Sequence, residues 1–257
     1  MTPIADLLAA ALRTDHGFTA TIPPDWMQGR TAFGGLSAAL ALDAALALEP
    51  DLPPLRSAQI AFIGPLAGEV AVTATRLRRG RNAAYLQSDV ASDAGLGMRA
   101  TFVFMAALPS AVRHDESVRS PHAPPAKDAS LYVGPETFFT GNFEFLDADT
   151  ATGPADWLRW ARLRVRAGLH PMVELMAIGD ALPPAALKLA PSMLTPVSSL
   201  NWQINFVDPA PVTSDGWWLL GAHADTAWDG FSSQRMTIWN ADGAVVAEAM
   251  QGVALFG

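Results

Sequence analysis

The chain has 257 residues, with 25 acidic side chains against 17 basic ones, a formal net charge of −8 and no cysteine. At roughly 150 residues per domain this is one large domain or two fused small ones, and an apolar half with only 16% charged residues excludes global disorder. The lack of cysteine excludes disulfides, thiolate nucleophiles and cysteine zinc sites, and the negative balance argues against broad binding to nucleic acid or anionic membranes.

Along the chain, the opening stretch Met1–Asp15 is partly apolar but has no basic start and carries Asp6, so it does not read as a secretory leader. The run Phe33 to Leu48 is interrupted by Asp43 and is shorter than the roughly 18 uninterrupted residues a membrane span needs. A cytoplasmic location is the expectation. The same run is made of strong helix formers and is apolar nearly all round, which predicts a buried helix.

A repeat follows. Gln59-Ile60-Ala61-Phe62-Ile63-Gly64-Pro65 recurs as Gln203-Ile204-Asn205-Phe206-Val207-Asp208-Pro209. After the first copy come strand-like stretches at Glu69–Leu77, Asn82–Val90 and Met98–Ala106, with a turn at Ser92-Asp93-Ala94-Gly95. Leu108 to Ser130 carries several prolines and charges and little periodicity, which marks a linker. Leu158–Val165 reads as an extra strand, and a second helix starts at Pro171, where a missing N–H costs nothing, and runs to Ile178 or beyond. After the second copy come Trp217–Ala224, Ser232–Asn240 and Ala244–Phe256, with Ala241-Asp242-Gly243 as a hairpin turn. The layout predicts an α+β protein made of two tandem units, 1–107 and 131–257, joined by 108–130. Each unit would wrap an antiparallel sheet around its own buried helix.

A Phe-Gly-Gly opening a buried helix, then strands, a linker, a second helix–meander unit and a terminal Gln-Gly strand resemble the double-hotdog acyl-CoA thioesterases of the type II, TesB-like class. The resemblance runs from about Asp15 to Phe256. It implies an acyl-CoA thioester as substrate, hydrolysis by direct water attack, and no metal or redox cofactor. It also implies a catalytic Asp on the strand after the second helix, a hydroxyl on the next strand and a Gln near the C-terminus. Counted from the shared Phe and Pro, these fall on Asn201, Thr226 and Gln251, so the acid position departs from the family pattern. The first-half counterpart of Asn201 is Ser57, and one active site per chain, in the second half, is expected.

Hydrolysis needs an acceptor for the water proton and donors for the oxyanion. Gly34 and Gly35 suit the donor role, since backbone N–H groups at a helix start favour negative charge and glycine admits close approach. They equally allow tight helix packing. Asn201 and Gln251 can orient a water but cannot take its proton at neutral pH. Asp225, Asp180, Glu174 and Asp43 are carboxylates that could substitute for the missing base, but each reads first as a solvated or helix-capping side chain. Asp43 lies on the first helix, where other hotdog thioesterases often carry an acid, yet their spacing lands on Leu42. Arg76, Arg78, Arg79 and Arg81 form a run that suits coenzyme A phosphates or a solvated turn.

Other chemistries find little support. Gly-x-Ser-x-Gly, Walker and dinucleotide motifs are missing from the sequence. His223 and Asp225 are the one close metal-like pair and a weak one. A hotdog hydratase would have only His170 or His223 to draw on, and Asn201 keeps a non-catalytic acyl-CoA binder as the alternative to the hydrolase reading. Exposed sheet edges make a homo-oligomer the expectation.

Overall fold

The structure is a computed structural model that describes residues 1–148 and 153–256. The first half runs α1 (Ile4–Ala10), β1 (Leu12–Thr14), β2 (Gly17–Thr21), a short pair β3 (Met27–Gln28) and β4 (Thr31–Ala32), α2 (Gly34–Leu48), then β5 (Leu55–Phe62), β6 (Glu69–Arg79), β7 (Ala83–Ser92) and β8 (Gly95–Met105). The second half runs β9 (Phe143–Asp147), β10 (Asp156–Leu163), α3 (Pro171–Gly179), then β11 (Val197–Phe206), β12 (Trp218–Trp228), β13 (Phe231–Trp239) and β14 (Val245–Leu255).

The helices form where the composition predicts. In α2, Ala and Leu fill almost every position, and Gly35 through Leu42 are all buried. In α3, Met172 through Gly179 are all buried, and the His170 ring accepts the Met172 N–H at the helix start. The strands alternate as sheets with one covered face must. Val70, Val72 and Ala74 of β6 point inward while Glu69, Ala71, Thr73 and Thr75 face out.

The two meanders do not form two separate sheets, which corrects the sequence expectation. They join into one antiparallel sheet of order β1-β2-β6-β7-β8-β5-β11-β14-β13-β12-β10-β9, with β3-β4 as a small second sheet. The reason is edge chemistry: β5 and β11 would each end a sheet with unpaired N–H and C=O groups, and pairing them removes both edges. The seam is the sequence repeat itself. Gln59 stands opposite Gln203, with Ile60 against Trp202 and Ala58 against Ile204. The strand order reads the same outward in both directions from this seam, so an internal dyad passes between Gln59 and Gln203.

The two helices pack on each other beneath the sheet, with Gly34 and Gly35 at the start of α2 against Asp180 and Ala177 at the end of α3. Residues 108–130 lack strands and helices and run past the β13–β14 turn, where Trp239 Nε1 donates to the Val118 carbonyl at 2.9 Å and Ser120 N–H to the Gly243 carbonyl at 2.9 Å. Among the described residues, no helix is long and apolar enough to cross a membrane.

Candidate active site

Asp180 closes α3 directly after Gly179. An acid at the end of a fully buried helix has little access to water, so it depends on protein groups for its hydrogen bonds. It finds two. The Gly35 N–H of α2 donates to it, and Gln251 Nε2 of β14 donates to its Oδ1 at 2.8 Å. Burial outweighs both and pushes the carboxyl up from 3.8 to about 7.

Behind the acid lies a chain of amides. Gln251 Nε2 also donates to Ser199 Oγ at 3.1 Å, and Gln251 Oε1 accepts from Gln234 Nε2 at 2.7 Å. Gln234 Oε1 in turn accepts the Ala185 N–H at 2.8 Å. Both glutamines are buried, and a backbone donor at the far end fixes the direction of the whole chain. Asp180, Gly34 and Ser199 keep partial exposure, so the acid sits at the rim of this network.

Gly34 and Gly35 permit the arrangement. A Cβ on Gly34 would lie 2.6 Å from Asp180 Oδ2 and 3.0 Å from the Phe62 ring. One on Gly35 would collide with the Ala177 carbonyl and lie 2.6 Å from the Phe33 ring. Only glycine lets the positive end of α2 touch the acid at the end of α3.

The set is a half-buried acid pushed up to about 7, an orienting amide, a hydroxyl and a helix start. The acyl-CoA thioesterase family models match both halves, the C-terminal domain over residues 114–255 and the N-terminal domain over 22–105. The chain belongs to the acyl-CoA thioesterase family. No curated protein matches the sequence.

Solved structures agree on the fold. A conserved hot dog protein of Alicyclobacillus acidocaldarius superposes with a TM-score of 0.84 at 22% identity, covering 100% of this chain and 99% of its own. A tesB protein of Mycobacterium avium subs paratuberculosis gives 0.78 at 20% identity over 98% of each chain. The acyl-CoA thioesterase II TesB2 of Mycobacterium marinum gives 0.76 at 17% identity over 98% and 97%.

Within this thioesterase fold the residues singled out from sequence separate into groups. Gln251 meets Asp180 and Ser199 on the covered face. Asn201 stands with Gly252, Ser233 and Thr226 in the neighbouring cross-strand row, and its Oδ1 accepts the Gly252 N–H at 3.2 Å. The cause is a bulge between Ser199 and Asn201, which reverses the inward parity and turns Ser199 rather than Leu200 toward the covered face. The acid beside Gln251 is instead at the helix end, 21 residues before Asn201. Its signal in the sequence was a carboxylate closing an apolar helix whose one other charged residue is Glu174.

The other candidate carboxylates are held elsewhere. Arg235 pairs with Asp225 at 2.8 Å and holds it below the usual carboxylate range, Arg166 pairs with Glu174 at 2.9 Å, and Arg13 pairs with Asp43 at 2.8 Å. His223 pairs with Asp156 on the surface. Of the arginine run, Arg76 holds Glu49 at 3.1 Å and Arg79 the Asp51 carbonyl at 3.1 Å. That places it beyond the C-terminal end of α2, with the 15-residue helix, about 22 Å long, between it and the acid. Among the described residues no His, Cys, Asp or Glu group is arranged to hold a metal ion.

Proposed function

We propose that this thioesterase-family chain hydrolyses acyl-CoA thioesters by direct water attack, with Asp180 as general base. The observation that carries this reading is the carboxyl at about 7, held between the start of α2 and Gln251. A base poised near the working pH is both available and strong enough to take a proton.

The geometry supports the following sequence. Water lies against Asp180 and loses a proton to it as its oxygen bonds to the thioester carbonyl carbon. The carbonyl oxygen becomes an oxyanion facing the remaining first-turn N–H groups of α2, where the helix dipole favours negative charge. Collapse breaks the carbon–sulfur bond, and the thiolate leaves as thiol with the proton from Asp180. The products are the free acid and coenzyme A. Gln251 holds the carboxylate in place, and Ser199, whose oxygen already accepts from Gln251, keeps its own proton to donate to the water or carbonyl. Gly34 and Gly35 serve both of the roles weighed for them, close packing and oxyanion approach.

In this reading the site draws α2 from the first half and α3, β11 and β14 from the second. Asn201 need not supply the missing base, because Asp180 does. The hydratase alternative loses its histidines: His170 starts α3 at the opposite end from Asp180, and His223 is engaged with Asp156 on the surface.

The test is free-thiol release from a panel of acyl-CoAs. Turnover should rise with pH through about 7, as Asp180 loses its proton. Asp180→Asn should lower kcat by about 10²–10⁴-fold, the usual size of general-base assistance. Absent turnover across the panel, or an Asp180→Asn variant as fast as wild type, would overturn the reading.

A further inference from the structure

The internal dyad generates a second location at the opposite end of the helix pair. Counterparts follow from matching strand pairs. Ser199 corresponds to Leu55, Gln251 to Phe102 and Gln234 to Leu86. Asp180, ten residues into α3 counted from Pro171, corresponds to Asp43, ten residues into α2 counted from Gly34. Every hydrogen-bonding position except the acid has become apolar.

The acid too has been released from its role. At the first site the Gly35 N–H donates to Asp180; at the second, the equivalent Met172 N–H donates to His170 Nδ1 at 3.2 Å. Asp43 is left to pair with Arg13.

What stands there is a cavity of about 230 Å³, lined by Leu42, Leu46, Leu55, Phe104, Met172 and other apolar residues, with His170 as its one polar side chain. That is below the roughly 300–1,000 Å³ of drug-sized ligand sites, so its occupant is small. His170 is exposed at the mouth. Because its Nδ1 accepts from Met172, the neutral ring carries its proton on Nε2, a donor with no acceptor among its hydrogen bonds. Partial desolvation by the cavity wall holds the ring below the usual histidine range, with Asp43 opposing it.

The surrounding charge is positive. Asp43 and Glu49 are already matched by Arg13 and Arg76, and Arg78, Arg79 and Arg81 stand at the β6–β7 end against two further carboxylates, Asp51 and Asp208, the latter next to the lining Pro209.

We propose that this cavity is a non-catalytic site for a short- to medium-chain monocarboxylate, with the chain among the leucines and Phe104 and the carboxylate at His170 and the arginine-bearing end. The occupant belongs to the chemical class that thioester hydrolysis releases, but the proposal does not rest on hydrolysis at Asp180.

The test is a titration of the whole protein, labelled with ¹³C-methyl methionine, using sodium octanoate and, separately, 1-octanol. The Met172 methyl should shift saturably with octanoate, and octanol should bind about tenfold more weakly, the effect of losing one hydrogen bond to a charged group. Added salt should weaken octanoate and leave octanol unchanged. Leu46→Trp, which fills the cavity, should abolish the Met172 response, with Leu52→Trp, at another lining position, as the second variant should the first not fold. An unmoved Met172 overturns the proposal, as does a response that survives both filling variants. Equal affinity for octanol would overturn the carboxylate class. None of these readouts depends on turnover, so a failed hydrolase assay beside a responsive Met172 would separate the two readings.

Discussion

The two ends of the helix pair carry the same acid and different chemistry. At one end Asp180 accepts from the Gly35 N–H and Gln251, has no cationic partner among its hydrogen bonds, and is pushed up to about 7. At the other, Asp43, also half-buried, is paired with Arg13, while the equivalent N–H has been taken by His170. The acid position is shared; the surroundings are not. A helix-borne carboxylate becomes a candidate base only where burial raises it and neutral amides hold it without neutralising it. A guanidinium partner removes that property, because it stabilises the charged form.

The largest effect that should separate the ends is on stability. Asp180 has a folded value of about 7 against an ordinary value near 3.8, so between those pH values the folded protein keeps a proton that the unfolded chain has released. Stability therefore falls as pH rises from about 4 to 7, and the full cost is present above 7. At about 1.4 kcal/mol per pKa unit this is up to about 4 kcal/mol. Asp180→Asn should stabilise the protein at pH 8 by as much as that, with the gain vanishing near pH 4 in denaturant melts. Asp43→Asn should change stability by less than about 1 kcal/mol, as loss of a surface ion pair does. Similar pH profiles for the two variants would erase the distinction.

Next in size is the close approach of the helix ends. Gly35→Ala places a methyl into the Ala177 carbonyl and the Phe33 ring, and overpacking of this kind costs about 1–3 kcal/mol. Its counterpart Met172 carries a full side chain, so Met172→Ala should instead open space and enlarge the cavity. A Gly35→Ala protein with an unchanged Tm would show that the helix ends are free to separate.

Gln234→Leu copies the first-half residue Leu86 into the second half. It leaves Gln251 Oε1 and the Ala185 N–H without partners, at about 1–3 kcal/mol. Thiol release should fall as well, because Gln251 loses the bond that fixes its orientation. Loss of stability with full activity would limit the amide chain to a structural role.

Much of the scaffold was legible because it follows from patterns that a chain must show. The helix expected from Phe33 to Leu48 is α2, and the one starting at Pro171 is α3, extended to Gly179. The repeat predicted related halves, and its two copies prove to be the strands that meet at the seam. What escaped was the joining of the sheets, which depends on strand edges meeting in space, and the N-terminal elements α1, β1 and β2, which are short and weakly patterned. At the candidate site, Gln251 was singled out by position near the C-terminus, and its amide meets Asp180 there. Ser199 was hidden by a one-residue bulge, which strand counting cannot see. Asp180 was weighed and set aside as a cap, since a sequence shows that an acid ends a helix but not that another helix start closes over it.

The smallest expected effect is the most discriminating for the choice of base. Asn201 lies in the row of Gly252, Ser233 and Thr226, and its Oδ1 accepts a backbone N–H. An aspartate there keeps that acceptor, so Asn201→Asp should preserve the fold. If Asp180 takes the water's proton, a second carboxylate in the adjacent row adds only a screened charge at an exposed position, and kcat should stay within about twofold. If instead the strand position is where the reacting water sits, Asn201→Asp would supply general-base assistance and raise the rate by about 10²-fold or more. The same substitution in an Asp180→Asn background sharpens the comparison. Rescue of thiol release there would move the base to the strand, and no rescue would leave the reaction with the acid at the helix end.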